Sequence, residues 1–198
     1  VYLPDHEIET AVRAGHLGVT PFDPALVQPA SIDVRLDREF MVLHRFRGGD
    51  LIDPSTTRTG TWQYVECRPR DHAFVLTPGD FVLASTWEKV RMPADLLGRL
   101  EGKSSLGRLG VRVHSTAGFI DPGFEGHITL ELSNDAGVPV ALWPGQRIGQ
   151  LSLARLSSPA QRPYGSGATG SRYQGQRGPT QSLAAHNFQR GLPGEVPA

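Results

Sequence analysis

What most limits the folds open to this chain is how turn signals cut it into short pieces. Pro78-Gly79-Asp80, Pro122-Gly123, Asp135-Ala136-Gly137 and Pro144-Gly145 all combine residues that interrupt regular structure. Glycine reaches backbone angles closed to other residues, whereas proline fixes φ and lacks an N–H donor. The 23 Gly and 16 Pro are spread along the 198 residues rather than clustered, so many short elements are predicted. Between the signals, polarity alternates with a period of two. In Ser31-Ile-Asp-Val-Arg-Leu36, for example, Ile32, Val34 and Leu36 share one face. Further strands are predicted at 39–43, 74–76, 80–87, 110–114, 126–133 and 150–156. Short strands at this spacing predict a mainly β fold, either a barrel or a double-sheet jelly roll.

Residues 4–14 read instead as a short N-terminal helix. Ile8, Ala11 and Val12 fall at i, i+3 and i+4, the first turn is acidic, and Gly15 is a C-terminal stop. One helical turn is predicted within 92–98. Residues 44–72 form a polar excursion with a small hairpin around 61–66. After Pro159 the chain is rich in Gly, Ser, Arg and Gln, a composition that is either disordered or orders over a ligand. The organisation is thus one β domain with its helix, 1–158, and a tail, 159–198, with no internal repeat.

Charge and cysteine content exclude several function classes. Lys plus Arg and Asp plus Glu both number 20, so no bulk positive field draws in nucleic acid or an anionic membrane. Any anion site must be local, and the neutral balance is compatible with self-association. Cys67 is the only cysteine, which excludes a disulfide framework and any zinc site needing two thiolates. No H-x-E pairs with P-C-x-x-C, so the zinc-deaminase signature is absent. No apolar run reaches membrane-spanning length. Asp5, Glu7 and Glu9 stand where a signal peptide would be basic and then apolar. A soluble cytoplasmic protein is expected.

Three segments could carry chemistry. Gly102-Lys-Ser-Ser-Leu-Gly-Arg108 joins small residues, two hydroxyls and two cations, a loop able to cradle phosphate oxygens. It lacks Walker spacing, and a solvated turn has the same composition. In His127-Ile-Thr-Leu-Glu-Leu-Ser133, Ile128, Leu130 and Leu132 share one face, with His127, Thr129, Glu131 and Ser133 on the other. Glu131, flanked by leucines, is either a partly desolvated proton acceptor or an exposed surface carboxylate. His114-Ser-Thr-Ala-Gly-Phe-Ile-Asp-Pro-Gly123 is a link of small residues that lets backbone approach a ligand. There Asp121 is held extended before Pro122, although Asp-Pro-Gly is also ordinary turn chemistry. His114, with no neighbouring acid in sequence, reads as a packed histidine. In the tail, Tyr164, Tyr173, Arg172, Gln174, Gln176 and Arg177 are suited to closing over phosphates and a base, and equally to a solvated tail.

Taken together, these segments resemble the dCTP deaminase branch of the trimeric dUTPase superfamily. Gln28-Pro-Ala-Ser-Ile-Asp-Val-Arg-Leu36, Leu100-Glu-Gly-Lys-Ser-Ser-Leu-Gly-Arg-Leu-Gly110 and His114 through Phe124 carry the likeness. Gly126-His-Ile-Thr-Leu-Glu-Leu-Ser-Asn134, Trp143-Pro-Gly-Gln-Arg-Ile-Gly-Gln-Leu151 and Tyr173-Gln-Gly-Gln-Arg-Gly-Pro179 complete it, in order from about residue 3 to 180. The resemblance implies a distorted jelly roll, a homotrimer with active sites between subunits, and a tail that closes over the nucleotide. It implies Mg2+ carried by the triphosphate and no zinc. Glu131 maps to the general base that activates water for attack on cytosine C4, with Ser104 and backbone around Ser115 and Ala117 as its partners. Lys103, Ser104, Ser105, Leu106, Gly107 and Arg108 map to nucleotide contacts, as do Thr129, Leu130, Gln150, Tyr164, Arg172 and Gln176. Asp121 maps to the deoxyribose contact.

Some family members only deaminate; others also cleave the resulting dUTP to dUMP and diphosphate. Gly118-Phe119 is similar to the bifunctional type, and Asp121 maps to the residue that positions water at the α-phosphate. The two-step reaction, supplying dUMP for thymidylate synthesis, is therefore expected, with dTTP a candidate feedback inhibitor. Alternatives are a monofunctional deaminase, a paralogue acting on a modified cytosine nucleotide, and a nucleotide-binding module without catalysis. Residues 44–72 diverge from the family pattern, and Arg172 stands where lysine is usual, keeping charge but changing hydrogen-bond geometry.

Overall fold

The computed structural model describes residues 1–43, 51–55, 62–68, 71–167 and 170–187. The predicted helix is α1 (Asp5–Arg13), which buries Ile8, carries Asp5 and Glu7 in its first turn, and gives way to Gly15 at φ 70°. Thirteen strands follow among the described residues. The first six are β1 (Gly18–Thr20), β2 (Val27–Gln28), β3 (Ser31–Arg35), β4 (Glu39–Leu43), β5 (Trp62–Glu66) and β6 (Phe74–Leu76). β7 (Phe81–Arg91) and β8 (Leu96–Gly102) precede a single helical turn, α2 (Ser104–Gly107). The last are β9 (Val111–Arg112), β10 (Phe119–Ile120), β11 (Glu125–Asn134), β12 (Val140–Leu142) and β13 (Arg147–Arg155).

One sheet runs β5-β4-β7-β11-β9, with β1 on the far end of β7; a second runs β10-β8-β13-β3-β2; β12 and β6 pair separately. Neither large sheet closes on itself among the described residues, so the double-sheet jelly roll is the architecture observed. The inner faces share one core, in which Val82, Ala84 and Leu130 of the first sheet join Ile32, Leu100 and Leu151 of the second. Phe40 is fully buried and stacks on Phe74 with ring centroids 4.2 Å apart. Burying a ring of that size contributes roughly 2–3 kcal/mol.

β11 shows why the alternation was readable. Gly126, Ile128, Leu130, Leu132 and Asn134 are buried, and each residue between them is only half-buried. Asn134 closes the turn that follows: its amide donates to the Leu76 and Val138 carbonyls and its oxygen accepts from the Ala136 N–H.

Four predictions are corrected. The helical turn expected within 92–98 is absent. Its second half opens β8, whose Leu96, Gly98 and Leu100 point inward and which pairs with β13. β7 runs on to Arg91 rather than stopping at Trp87. The charged Glu88 just beyond the predicted end is fully buried, and its carboxylate accepts from Arg35 Nε at 2.6 Å and Arg35 N–H at 2.8 Å. Residues 62–66 form no hairpin of their own but pair with β4, Leu43 opposite Trp62; Thr61 lies outside the described residues. The loop predicted at 102–108 contains the turn α2.

Candidate active site

The outward face of β11 carries Thr129 and Glu131, and three elements converge on it. The segment after β9 crosses the strand: Glu131 N–H donates to the Val113 carbonyl at 3.0 Å, and Ser115 N–H donates to Glu131 Oε2 at 2.9 Å. That pairing fixes the carboxylate in one orientation. Its other oxygen has no protein hydrogen-bond partner among the described residues, and Glu131 lines a cavity of about 560 Å3. Ala117, Phe119 and Asp121 line it from the same crossing segment, and Trp62, Phe81 and Leu83 from β5 and β7.

The third element is the tail, which lies against the start of β11. Gly175 N–H donates to the Glu125 carbonyl, His127 N–H to the Gln176 carbonyl, and Gln176 Nε2 to the His127 carbonyl. Gln174 donates to the Gly123 carbonyl at 3.0 Å and accepts from Glu125 N–H at 3.1 Å. The Tyr164 hydroxyl accepts from the N–H groups of Arg172 and Tyr173, and its ring meets Phe124 edge-on at 5.8 Å. Two glycines admit this strap. A Cβ on Gly123 (φ 91°) would stand 2.7 Å from the Tyr164 carbonyl oxygen, and one on Gly126 (φ 155°) 3.1 Å from that of Gln176. Tyr164, Arg172, Tyr173, Gln176 and Thr180 thereby become walls of the same cavity.

Nine predicted residues therefore meet at one place: Ala117, Phe119, Asp121, Thr129, Glu131, Tyr164, Arg172, Tyr173 and Gln176. Lys103, Ser104 and Gly107 do not join them. They line a separate, open cleft of about 380 Å3 with Glu101, Arg112 and His114, and the two hollows share no lining residue. The stretch 111–120 contributes to both. Ser105 and Arg108 are exposed, Leu106 packs on the core, and Gln150 stands opposite Asp33 and Glu101 in the sheet. Leu130 is fully buried in the core and lines neither hollow. The Gly118 carbonyl accepts from Leu100 N–H at 2.7 Å, and a Cβ on Gly118 would stand 2.9 Å from the Leu100 carbonyl oxygen. His114 is packed as predicted, yet it has an acid nearby in space, Glu101 at 3.8 Å.

The sequence reading missed the wall residues Trp62, Phe81 and Thr180, and also Asp33. The Asp33 side chain is wholly buried and accepts from Lys103 Nζ at 2.7 Å and Arg147 Nη1 at 3.2 Å. A charged residue between two buried apolar neighbours, Ile32 and Val34, was the available signal. Cys67 lies in the core, where burial pushes its thiol up. Among the described residues no cluster of three His, Cys, Asp or Glu could hold a metal ion, and no helix is long and apolar enough to cross a membrane.

Comparison with known proteins bears on the family and the fold. The family model described as dCTP deaminase-like matches residues 2–156. The "dCTP deaminase, dUMP-forming" of Corynebacterium kroppenstedtii is 58% identical over 187 residues, covering 94% of this chain and 99% of that one. The protein of the same description from Mycobacterium avium is 59% identical over 187 residues, covering 94% and 97%. A crystal structure of 2'-deoxycytidine 5'-triphosphate deaminase from Agrobacterium tumefaciens has a TM-score of 0.58 at 24% identity, covering 77% of this chain and 46% of that one. That likeness shows a shared fold.

Proposed function

Since the chain belongs to the dCTP deaminase-like family, we propose a two-step reaction carried by the Glu131 cavity. The protein is a dUMP-forming dCTP deaminase: water replaces the amino group at cytosine C4 to give dUTP and ammonia, and a second water cleaves dUTP to dUMP and diphosphate. The observation that carries the residue assignment is the Glu131 carboxylate, pinned on one oxygen by Ser115 N–H inside a closed-over cavity.

In the first step Glu131 takes a proton from water as the oxygen attacks C4. The same proton can then pass to the departing amine, which leaves as ammonia. Cys67 cannot supply the paired thiolates of a zinc deaminase, so polarisation of the water falls to Glu131 and fixed donors, Ser104 and backbone near Ser115 and Ala117. Asp121 contacts the deoxyribose and orients the water of the second step. Gly118-Phe119 keeps this route open: the absent side chain lets the crossing segment lie against Leu100, while Phe119 remains 63% exposed.

The hydroxyls of Ser104 and Ser105, with the cations Lys103 and Arg108, fit a triphosphate. Mg2+ arriving with the nucleotide would offset the phosphate charge, with Lys103 and Arg108 supplying the protein's share. Two hollows without a shared residue support a homotrimer in which the 103–108 segment of one copy completes the Glu131 cavity of the next. Residues 159–198 are the tail, whose first part closes over the nucleotide. dTTP, a close analogue of dUTP, is the candidate feedback ligand of the same cavity.

Product analysis with dCTP and Mg2+ tests this reading. We expect dUMP, diphosphate and ammonia, with activity restored in full by Mg2+ after treatment with a zinc chelator. Accumulating dUTP would remove the second step, and unchanged dCTP or permanent loss after chelation would overturn the chemistry.

A further inference from the structure

Asp33 lies at the centre of a charge arrangement that the reaction above leaves unused. Its side chain is 0% exposed, and a carboxylate so placed is stable only while a cation accompanies it. It has two. Lys103 reaches it from the end of β8, 70 positions along the chain, and Arg147 reaches it from β13, 114 positions along. Lys103 is also a lining residue of the open cleft beside Ser104, so the same ammonium can serve the cleft or the buried carboxylate. Arg147 is half-exposed, is anchored a second time on the Ala25 carbonyl, and is not among the residues lining that cleft.

We infer that Asp33, Lys103 and Arg147 form a counter-ion exchange: Lys103 leaves Asp33 for a nucleotide phosphate, while Arg147 stays and keeps the buried carboxylate paired. The inference rests on the reading of Lys103 as a triphosphate contact. If Lys103 moved without Arg147 present, Asp33 would be left as an isolated charge in the core. That cost would be subtracted from phosphate binding. Asp33 and Arg147 are thus positioning residues, acting on substrate capture through Lys103 and leaving the chemistry at C4 alone.

Steady-state kinetics of the full chain with dCTP and Mg2+ provide the test. Arg147→Met, which keeps an apolar stem, should raise KM on the order of tenfold with kcat within about twofold, because Lys103 is now needed at Asp33. Combining it with Asp33→Asn should bring KM back to near the wild-type value. Removing a merely structural bridge from both sides would give no such recovery. Asp33→Asn alone, which leaves no buried charge behind, should lower KM about threefold and provides a readout even if Arg147→Met does not fold. An unchanged KM in Arg147→Met, no recovery in the double variant, or a raised KM in Asp33→Asn would overturn the exchange. Lys103→Met in the same assay separates the two levels. If its KM is unchanged, the phosphate role of Lys103 falls; if its KM rises while Arg147→Met has no effect, only the exchange falls.

Discussion

Glu131→Gln should lower ammonia release from dCTP by a factor on the order of 10³, about 4 kcal/mol of lost transition-state stabilisation. The substitution isolates proton acceptance from shape. A glutamine oxygen can still accept from Ser115 N–H at the place Oε2 now occupies, 2.9 Å away, so the crossing segment keeps its anchor. Thr129 and the β11 pairing to β7 are untouched. What the amide cannot do is take a proton from water at neutral pH. An unchanged melting temperature with deamination gone is the expected pair of results. Deamination at the wild-type rate would mean that another group activates the water.

The second large effect concerns where the site is assembled. Ser104→Ala should also disable deamination, by about 10²–10³, since it removes a fixed donor from the attacking water. Ser104 and Glu131 line different hollows of one chain. If the working site joins the Glu131 cavity of one copy to the Ser104 cleft of its neighbour, every mixed trimer of the two inactive variants contains one intact site. Refolding or co-expressing the variants in equal amounts should then recover about a quarter of the wild-type rate, as random assembly around a threefold axis requires. Activity no greater than the sum of the separate variants would place both residues in the same subunit's site.

How much of this was legible depended on whether a feature is local. β11 could be read because five buried positions alternate with half-buried ones, so both the strand and the face of Glu131 followed from period two. β8 could not, because Pro93 and Gly98 broke the alternation of Leu96 and Leu100. Gly98 sits at a close approach: a Cβ there would stand 3.1 Å from Ile120 and Leu151 side-chain atoms. Buried charges were opaque for a different reason. Glu88 is made tolerable by Arg35, and Asp33 by Lys103 and Arg147, partners 53, 70 and 114 positions away. The tail read equally as a solvated segment or as one that orders over a ligand, because its seat is made by backbone groups and glutamine amides, which leave no hydrophobic pattern. The cytosine chemistry was legible only through family resemblance. The residues alone supported an anion site and a carboxylate on a strand face.

The way the tail is seated separates two kinds of attraction. Gln174, Gly175 and Gln176 hold β11, and Tyr164 holds Arg172 and Tyr173, through neutral hydrogen bonds at close range. Mobile salt ions screen charges, with a Debye length of roughly 10 Å at 0.1 M, and act little on neutral contacts of this kind. The phosphate capture proposed for Lys103 and Arg108 is in the opposite class. Adding salt should therefore weaken the hold on the triphosphate, seen as a rising KM for dCTP, while protease cleavage within residues 163–180 stays constant. Cleavage that increases with salt would show that charge holds the tail down after all. If it does not increase, ionic strength controls substrate entry and leaves the cover in place.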